Sequence, residues 1–136
     1  MTVSTTQTPV IMSGRELADR IQAQLRNEAA ALKQQGITPG LGTLLVGDDS
    51  ASAAYIAMKH RACEEVGVAS VHEHLPSDTT QERLEESIHR LNANPLVDAY
   101  LVQLPLPCGL NEESALLAVD PQKDADGLHP VNLGRL

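Results

Sequence analysis

Three times along this chain, a strand-like segment is followed by a segment with helical periodicity. The strand-like segments are residues 41–46, 68–75 and 97–102, and a further helical segment, residues 13–36, precedes the first of them. Helical crossovers join parallel strands, whereas an antiparallel pair needs only a short turn. The order therefore predicts an α/β domain of three layers, with a largely parallel sheet flanked by helices.

Some residues mark where the predicted helices begin, end and pack. Ser13 and Glu16 have the spacing of a capping box, and Gly36 is a natural end for the first helix. The first helix carries an apolar stripe, and the helix within residues 77–95 has apolar residues that face inward. The stripe is Leu17, Ile21, Leu25 and Leu32, and the inward-facing set is Leu84, Ile88 and Leu91.

The glycines near residue 40 and the last fifteen residues are less regular. Gly40 and Gly42 lie at the start of the first apolar run and are interpreted as a turn. A dinucleotide-binding loop would follow its strand instead of preceding it. Residues 122–136 show no clear periodicity, although they are rich in turn formers and polar groups.

Aromatic residues are almost absent from this chain of 136 residues, a length that suits one domain. There is no Phe and no Trp, so the core must be built from Leu, Val, Ile, Ala and Met. The two tyrosines are Tyr55 and Tyr100. If a flat ligand stacks on an aromatic side chain here, these two rings are the candidates.

The balance of charge and the apolar pattern argue against several partner classes. Acidic residues outnumber basic ones by 18 to 10, and a negative surface repels nucleic-acid phosphates. No apolar run approaches the roughly 20 residues that span a bilayer. Residues 1–9 lack the features of a signal peptide and are expected to be a flexible tail. Cys63 and Cys108 lack metal-binding spacing, which fits free thiols in a reducing cytoplasm.

Four kinds of polar side chain are expected to meet at one edge of the sheet. Ligands of open α/β sheets bind at the carboxyl ends of the strands. Tyr55 and Lys59 lie one turn apart on the helix after the first strand, and Gln103 directly follows the third strand. The turn "KDADG", which contains Asp126, is expected to fold back over the same edge. A phenol, an amine, an amide and a carboxylate together favour proton transfer to a polar heterocycle, with the lysine as acid or base.

Simpler interpretations of these residues stay open. Tyr55 and Lys59 are also typical of a solvated helix face, and the prolines after Gln103 are also typical of a rigid exit from a strand. The two aspartates of "DAD" fit a turn in which Asx side chains bond the backbone. His72 and His74 share one strand face but have no evident third ligand nearby, which argues against zinc.

Three separated segments resemble the methylenetetrahydrofolate dehydrogenase/cyclohydrolase family, often called FolD. They are "GDDSASAAYIAMKHRACEEVG", "VQLPLP" and "DPQKDADGLHPVNLGRL", and they occur in the order found in the family. The resemblance covers nearly the whole chain from about Val10. Three motifs in the right order make it specific.

The resemblance implies an enzyme of one-carbon folate metabolism. Members oxidise 5,10-methylenetetrahydrofolate to the methenyl cation with NADP, then hydrolyse that cation to 10-formyltetrahydrofolate. The active-site lysine falls on Lys59, and the glutamine that contacts and tunes it falls on Gln103. The tyrosine that packs against the folate rings falls on Tyr55, and the aspartate that holds the pterin falls on Asp126. Further residues assigned to the substrate site are Ser52, Val102 and Leu104.

The resemblance also implies parts that these residues do not contain. Residues 10–136 are expected to be a folate-binding catalytic domain that ends before the family's NADP-binding Rossmann domain. The closing C-terminal helix is missing too, so an apolar strip is expected to be uncovered. The full-length parent is expected to be a cytoplasmic homodimer, and this chain to lack dehydrogenase activity. The alternative is a non-catalytic folate-binding or dimer-forming fragment.

Overall fold

The computed structural model describes residues 12–136, so the expected tail at residues 1–9 lies outside the described residues. The helices and strands alternate in the predicted order. The helices are α1 (Gly14–Gln34), α2 (Ser50–Val66), α3 (Gln81–Ala93), α4 (Glu112–Ala118) and α5 (Pro130–Leu133), and the strands are β1 (Gly40–Val46), β2 (Ala69–Leu75) and β3 (Ala99–Val102). None of the helices in this range is long and apolar enough to cross a membrane.

The sheet has three strands in the order β2-β1-β3, and both pairings are parallel. The side that α3 and α4 cover is called the α3 face here, and the side that α2 covers is called the α2 face. α1 packs outside α2, where the Arg26 guanidinium donates to the Glu65 carbonyl oxygen at 3.0 Å. This arrangement confirms the predicted three-layer α/β class.

Side-chain and glycine caps fix the helix ends close to where the sequence predicts them. The Ser13 hydroxyl accepts a hydrogen bond from the Glu16 backbone N–H at 3.4 Å and so begins α1. The Asp49 carboxylate accepts one from the Ser52 backbone N–H at 2.7 Å at the start of α2. Gly67 ends α2 with a φ of 82°, a left-handed conformation that glycine adopts without a steric cost.

The α3 face carries a continuous apolar core. As predicted, the inward-facing residues of α3 are buried, and they pack against the even-numbered residues of β1 and β3. The cluster consists of Leu44, Val46, Leu75, Leu84, Ile88, Leu91, Val97, Tyr100, Val102, Ala115 and Val119. This core holds the strands whose carboxyl ends form the candidate site.

The interpretation of Gly40 and Gly42 as a turn is wrong, because both residues belong to β1. A Cβ atom at Gly42 would lie 2.6 Å from the Tyr100 Cβ atom, closer than two carbons can pack. The glycine therefore makes room for the large Tyr100 side chain in the core. Gly42 allows close packing within the sheet and does not change the direction of the chain.

The apolar stripe of α1 is not buried by the described residues. Leu17, Ile21 and Leu25 are 49%, 47% and 43% exposed, and Ala29 is the residue of α1 that is buried. Ala29 packs near Gly67, where α1 crosses the end of α2. The stripe is an uncovered apolar strip of the kind expected from the sequence.

The segment after α4 packs along the free edge of β3. The Tyr100 backbone N–H donates to the Lys123 carbonyl oxygen at 2.8 Å, and the Ala125 N–H donates to the Tyr100 carbonyl oxygen at 3.0 Å. Asp124 thereby forms a parallel bridge with Tyr100. The "KDADG" turn therefore pairs with the lateral edge of the sheet beside β3, and its position over the carboxyl edge stays a prediction. The single-turn helix α5 follows the turn, although the sequence shows no helical periodicity there.

Candidate active site at the carboxyl edge of the sheet

Lys59 and Gln103 meet where β3 leaves the sheet. The half-buried Lys59 ammonium donates to the Gln103 side-chain oxygen at 3.3 Å. The Gln103 side-chain NH₂ donates to the Leu104 carbonyl oxygen at 2.8 Å, and the Gln103 backbone N–H donates to the Leu44 carbonyl oxygen at 2.8 Å. Both the side-chain NH₂ and the backbone N–H of Gln103 are held by carbonyl oxygens. The side-chain oxygen of Gln103 is therefore fixed in position, and it accepts from the Lys59 ammonium and orients it.

Tyr55 is the aromatic ring that a ligand can reach. It lies one helical turn before Lys59 and is 56% exposed. Tyr100 is fully buried, and its hydroxyl donates to the Asn92 side-chain oxygen at 2.7 Å. Burial raises the pKa of the Tyr100 phenol, as expected for a group removed from water. Of the two candidates for stacking, the structure leaves only Tyr55.

Asp126 lies on the loop next to the end of β3. It follows the Asp124 bridge by two residues, in a turn where the Gly127 N–H donates to the Asp124 carbonyl oxygen at 3.4 Å. Its side chain is exposed, and none of the residues 12–136 hydrogen-bonds to its carboxylate. The carboxylate is therefore open to a ligand, and its place in one site with Lys59 and Gln103 stays a prediction.

The other predicted substrate residues surround this edge in different ways. Ser52 is 5% exposed in the first turn of α2. Hydrogen bonds from its backbone N–H and hydroxyl hold the pKa of Asp49 below its usual value. The Val102 side chain belongs to the core of the α3 face, so it has only its main chain to offer to a ligand. Leu104 is half-buried and accepts the Gln103 amide through its carbonyl oxygen.

A polar cluster that is not evident from the sequence lies on the α2 face. The Thr43 hydroxyl is buried and lies 2.9 Å from His60 Nε2 and 2.8 Å from His72 Nδ1. A hydroxyl has one proton, so it donates to one ring and accepts from the other when both are neutral. The register pairs Thr43 with His72 across β1 and β2, and no sequence pattern shows that register in advance. Within residues 12–136, no group of three or more His, Cys, Asp or Glu is arranged to hold a metal ion.

A groove of about 790 Å³ lies beside this cluster, between α2 and β2. Its lining includes Ile56, His60, Arg61 and His74 but neither Lys59 nor Gln103. The volume of a groove does not identify an active site, whereas an amine held by an amide at the carboxyl edge of a parallel sheet is a specific arrangement. We therefore place the candidate site at Lys59 and Gln103.

Residues 12–126 match the family model of the tetrahydrofolate dehydrogenase/cyclohydrolase catalytic domain. The chain belongs to this family. The matched range includes every site residue predicted from the sequence and ends at Asp126.

Solved structures of family members superpose on this chain. FolD from Campylobacter jejuni, a bifunctional methylenetetrahydrofolate dehydrogenase/cyclohydrolase, gives a TM-score of 0.87 at 40% identity over 89% of this chain and 43% of that one. The Bombyx mori 5,10-methylenetetrahydrofolate dehydrogenase gives 0.89 at 37% identity over 94% and 44%. The Trypanosoma brucei FolD, solved with NADP and an inhibitor, gives 0.89 at 38% identity over 94% and 44%. The chain spans less than half the length of each of these proteins.

Proposed function

We propose that this domain binds a tetrahydrofolate and carries the acid–base residues of a methylenetetrahydrofolate dehydrogenase/cyclohydrolase. In the longer enzyme, 5,10-methylenetetrahydrofolate gives up a hydride to NADP⁺ and becomes the 5,10-methenyl cation. Water then opens that cation to 10-formyltetrahydrofolate with release of a proton. The observation that carries the proposal is the 3.3 Å contact between the Lys59 ammonium and the Gln103 amide oxygen.

The hydrolytic step needs a group that moves protons. Water adds to the methenyl carbon and loses a proton, and a ring nitrogen gains a proton as its bond to that carbon breaks. A lysine amine at the edge of the site can exchange protons with both, and a positioned acid or base contributes about 100- to 10,000-fold in rate. Gln103 supports this role because its oxygen accepts from the amine and fixes its position.

The binding residues divide between the faces and the edge of the folate ring system. The exposed ring of Tyr55 offers an apolar surface for a flat substrate. Asp126 offers a carboxylate to the row of N–H donors on the amino-pyrimidine edge of the pterin, and such charge-assisted hydrogen bonds are strong. Ser52, the main chain of Val102 and Leu104 complete the proposed substrate site.

NADP is proposed to bind outside residues 12–136. A dinucleotide fold places a G-x-G-x-x-G loop between a strand and a helix, and no such pattern occurs in the described residues. NADP would supply the acceptor for the hydride that leaves the folate carbon. The residues of this chain would hold that folate and fix its orientation.

The location and assembly of the whole enzyme are also proposals. The buried Cys63 and the exposed Cys108 are both free thiols, which supports a reducing compartment such as the cytoplasm. The exposed apolar stripe of α1 supports burial against the closing C-terminal helix that the family resemblance implies. The resemblance also supports a homodimer, which we propose for the full-length enzyme.

Hydrolysis of 5,10-methenyltetrahydrofolate by this chain and by its full gene product tests the proposal. We expect the full gene product to hydrolyse it faster than buffer alone, and the chain by itself to bind the folate. The non-catalytic alternative predicts folate binding without hydrolysis in either protein. Absence of both folate binding and hydrolysis would overturn the proposed function.

A further inference from the structure

The loop that carries Asp126 closes on itself around a neighbouring carboxylate. Asp124 Oδ2 accepts from the His129 backbone N–H at 2.9 Å and from the Asn132 side-chain NH₂ at 2.9 Å. The same Asn132 NH₂ donates to the Pro121 carbonyl oxygen at 2.9 Å. Residues 121–132 thus form a closed loop with Asp124 as its inner acceptor, although no helix or strand spans the turn itself.

The charged form of Asp124 suits this position. Burial alone would raise its pKa, but hydrogen bonds from Asn132 and from the backbone of residues 127–129 outweigh burial and hold the pKa below its usual value. The ionised carboxylate therefore gathers several N–H donors from the part of the loop that follows Asp126.

Among residues 12–136, Asp126 has no such partners. It projects from the turn between the Ala125 bond to β3 and the His129 bond to Asp124. Two anchors therefore set its backbone, one on each side. On the far side, the Asp124 carboxylate is the group that holds the backbone at His129, since the His129 N–H donates to it directly.

We propose that Asp124 and Asn132 are positioning residues that hold the turn at Asp126 in the conformation that receives the folate. Asp124 does not touch the substrate in this account. It acts through the backbone of residues 125–129, and the inference rests on the proposed function of Asp126 as the pterin ligand. Asp124→Ala should therefore loosen the turn and weaken folate binding together.

Amide hydrogen exchange tests the structural half of this proposal without any ligand. In Asp124→Ala, we expect the amides of residues 125–129 to exchange roughly tenfold faster, because the loop loses charge-assisted hydrogen bonds. Asp124→Asn keeps an oxygen for His129 and Asn132 and should restore part of the protection. The matched control is Glu112→Ala, since Glu112 also accepts a backbone N–H, that of Leu106 at 2.8 Å, but in a different loop. Unchanged exchange at residues 125–129 in Asp124→Ala would overturn the proposal.

A double-mutant cycle with 5-formyltetrahydrofolate, a tetrahydrofolate that is stable in air, tests the functional half. We expect Asp124→Ala to weaken binding to the chain roughly tenfold, and to change it less than about twofold when Asp126 is already alanine. Equal effects in both backgrounds would show that Asp124 does not act through Asp126 and would overturn the proposal. If Asp126→Ala alone binds normally, or the wild-type chain does not bind, the proposed folate site fails, while hydrogen exchange still decides whether Asp124 fixes the turn.

Discussion

On the α3 face, the side chains of β1 and β3 pack in an apolar core that includes the Tyr100 ring. On the α2 face, the buried Leu45 and Leu101 share the surface of the sheet with polar groups, namely the Thr43–His60–His72 cluster and the contact between Lys59 and Gln103. The α3 face is closed by α3 and α4. The α2 face has a groove beside β2 and ends in the contact between Lys59 and Gln103. One sheet therefore carries its densest apolar core on one side and its reactive groups on the other.

The apolar core and the polar groups are separated because successive side chains of a strand point to opposite faces of the sheet. Val102 and Gln103 are consecutive, yet Val102 is buried in the core and Gln103 reaches Lys59 on the opposite side. The core holds the strand in place, and the next residue uses that fixed position to orient an amine. Mutations on the two faces should therefore separate loss of stability from loss of function.

Lys59→Met is expected to have the largest effect, on rate and not on folding. Methionine keeps the length of the stem but cannot carry a proton, so methenyltetrahydrofolate hydrolysis by the full gene product should fall roughly 100- to 10,000-fold. The melting temperature should stay close to that of the wild type. Met58→Leu is the control, because Met58 is the neighbouring exposed residue of α2. A wild-type rate for Lys59→Met would contradict the assignment of the catalytic residues to the α2 face.

Leu84→Ala should give the reverse pattern. Leu84 is fully buried in the α3-face core, and its truncation should lower the free energy of unfolding by about 2–5 kcal/mol in urea titrations. Folate affinity should be unchanged under conditions where the variant is folded. Leu117→Ala, at a half-exposed position of α4, should cost less than about 0.5 kcal/mol. A neutral Leu84→Ala would contradict the assignment of the core to this face.

Tyr100→Phe should cost about 1 kcal/mol, because it removes one buried hydrogen bond while Asn92 keeps the Asp120 N–H as a donor. Burial raises the pKa of the phenol above its usual value of 10.0, so the folded state favours the neutral form. The wild type should therefore lose stability as the pH rises above 10, and Tyr100→Phe should lose less. Parallel urea titrations from neutral to alkaline pH measure this difference. Identical pH dependence in the two proteins would argue that the phenol is not buried.

The smallest expected effect concerns the histidines of the α2 face. Burial lowers the pKa of His72 below 6.5, and the charges of His60 and His74 lower it further. The unfolded chain takes up protons first, so stability should fall as the pH drops below 6.5. His72→Asn keeps a hydrogen-bonding partner for Thr43 and should flatten this fall, whereas His89→Asn on the exposed side of α3 should not. If the free energy of unfolding falls equally with pH in all three proteins, His72 is not held in the cluster with Thr43.

Local patterns predicted the framework of the fold because each element carries its own signal. The inward-facing residues of α3 are buried as expected, and the Ser13 cap and the Gly36 end of α1 lie where the sequence places them. The carboxyl-edge rule also brought Lys59 and Gln103 together before their contact was known. These features depend on residues close in sequence or on general rules of parallel sheets.

Features that depend on distant partners could not be predicted. Gly42 of β1 leaves room for the Tyr100 side chain of β3, and this close approach joins residues of different strands. The Thr43 cluster requires the register between β1 and β2. The Asp124 loop is held by a side chain eight residues away, which leaves no periodic trace in the sequence.

A double-mutant cycle on Lys59 and Gln103 tests the central claim most directly, with methenyltetrahydrofolate hydrolysis by the full gene product as the readout. If the amide acts by orienting the amine, Gln103→Ala should slow the wild type and have little further effect once Lys59 is methionine. The two substitutions would then be strongly non-additive, as expected for groups joined by one hydrogen bond. Fully additive effects would show that the two side chains act independently and would contradict the site described for this edge of the sheet.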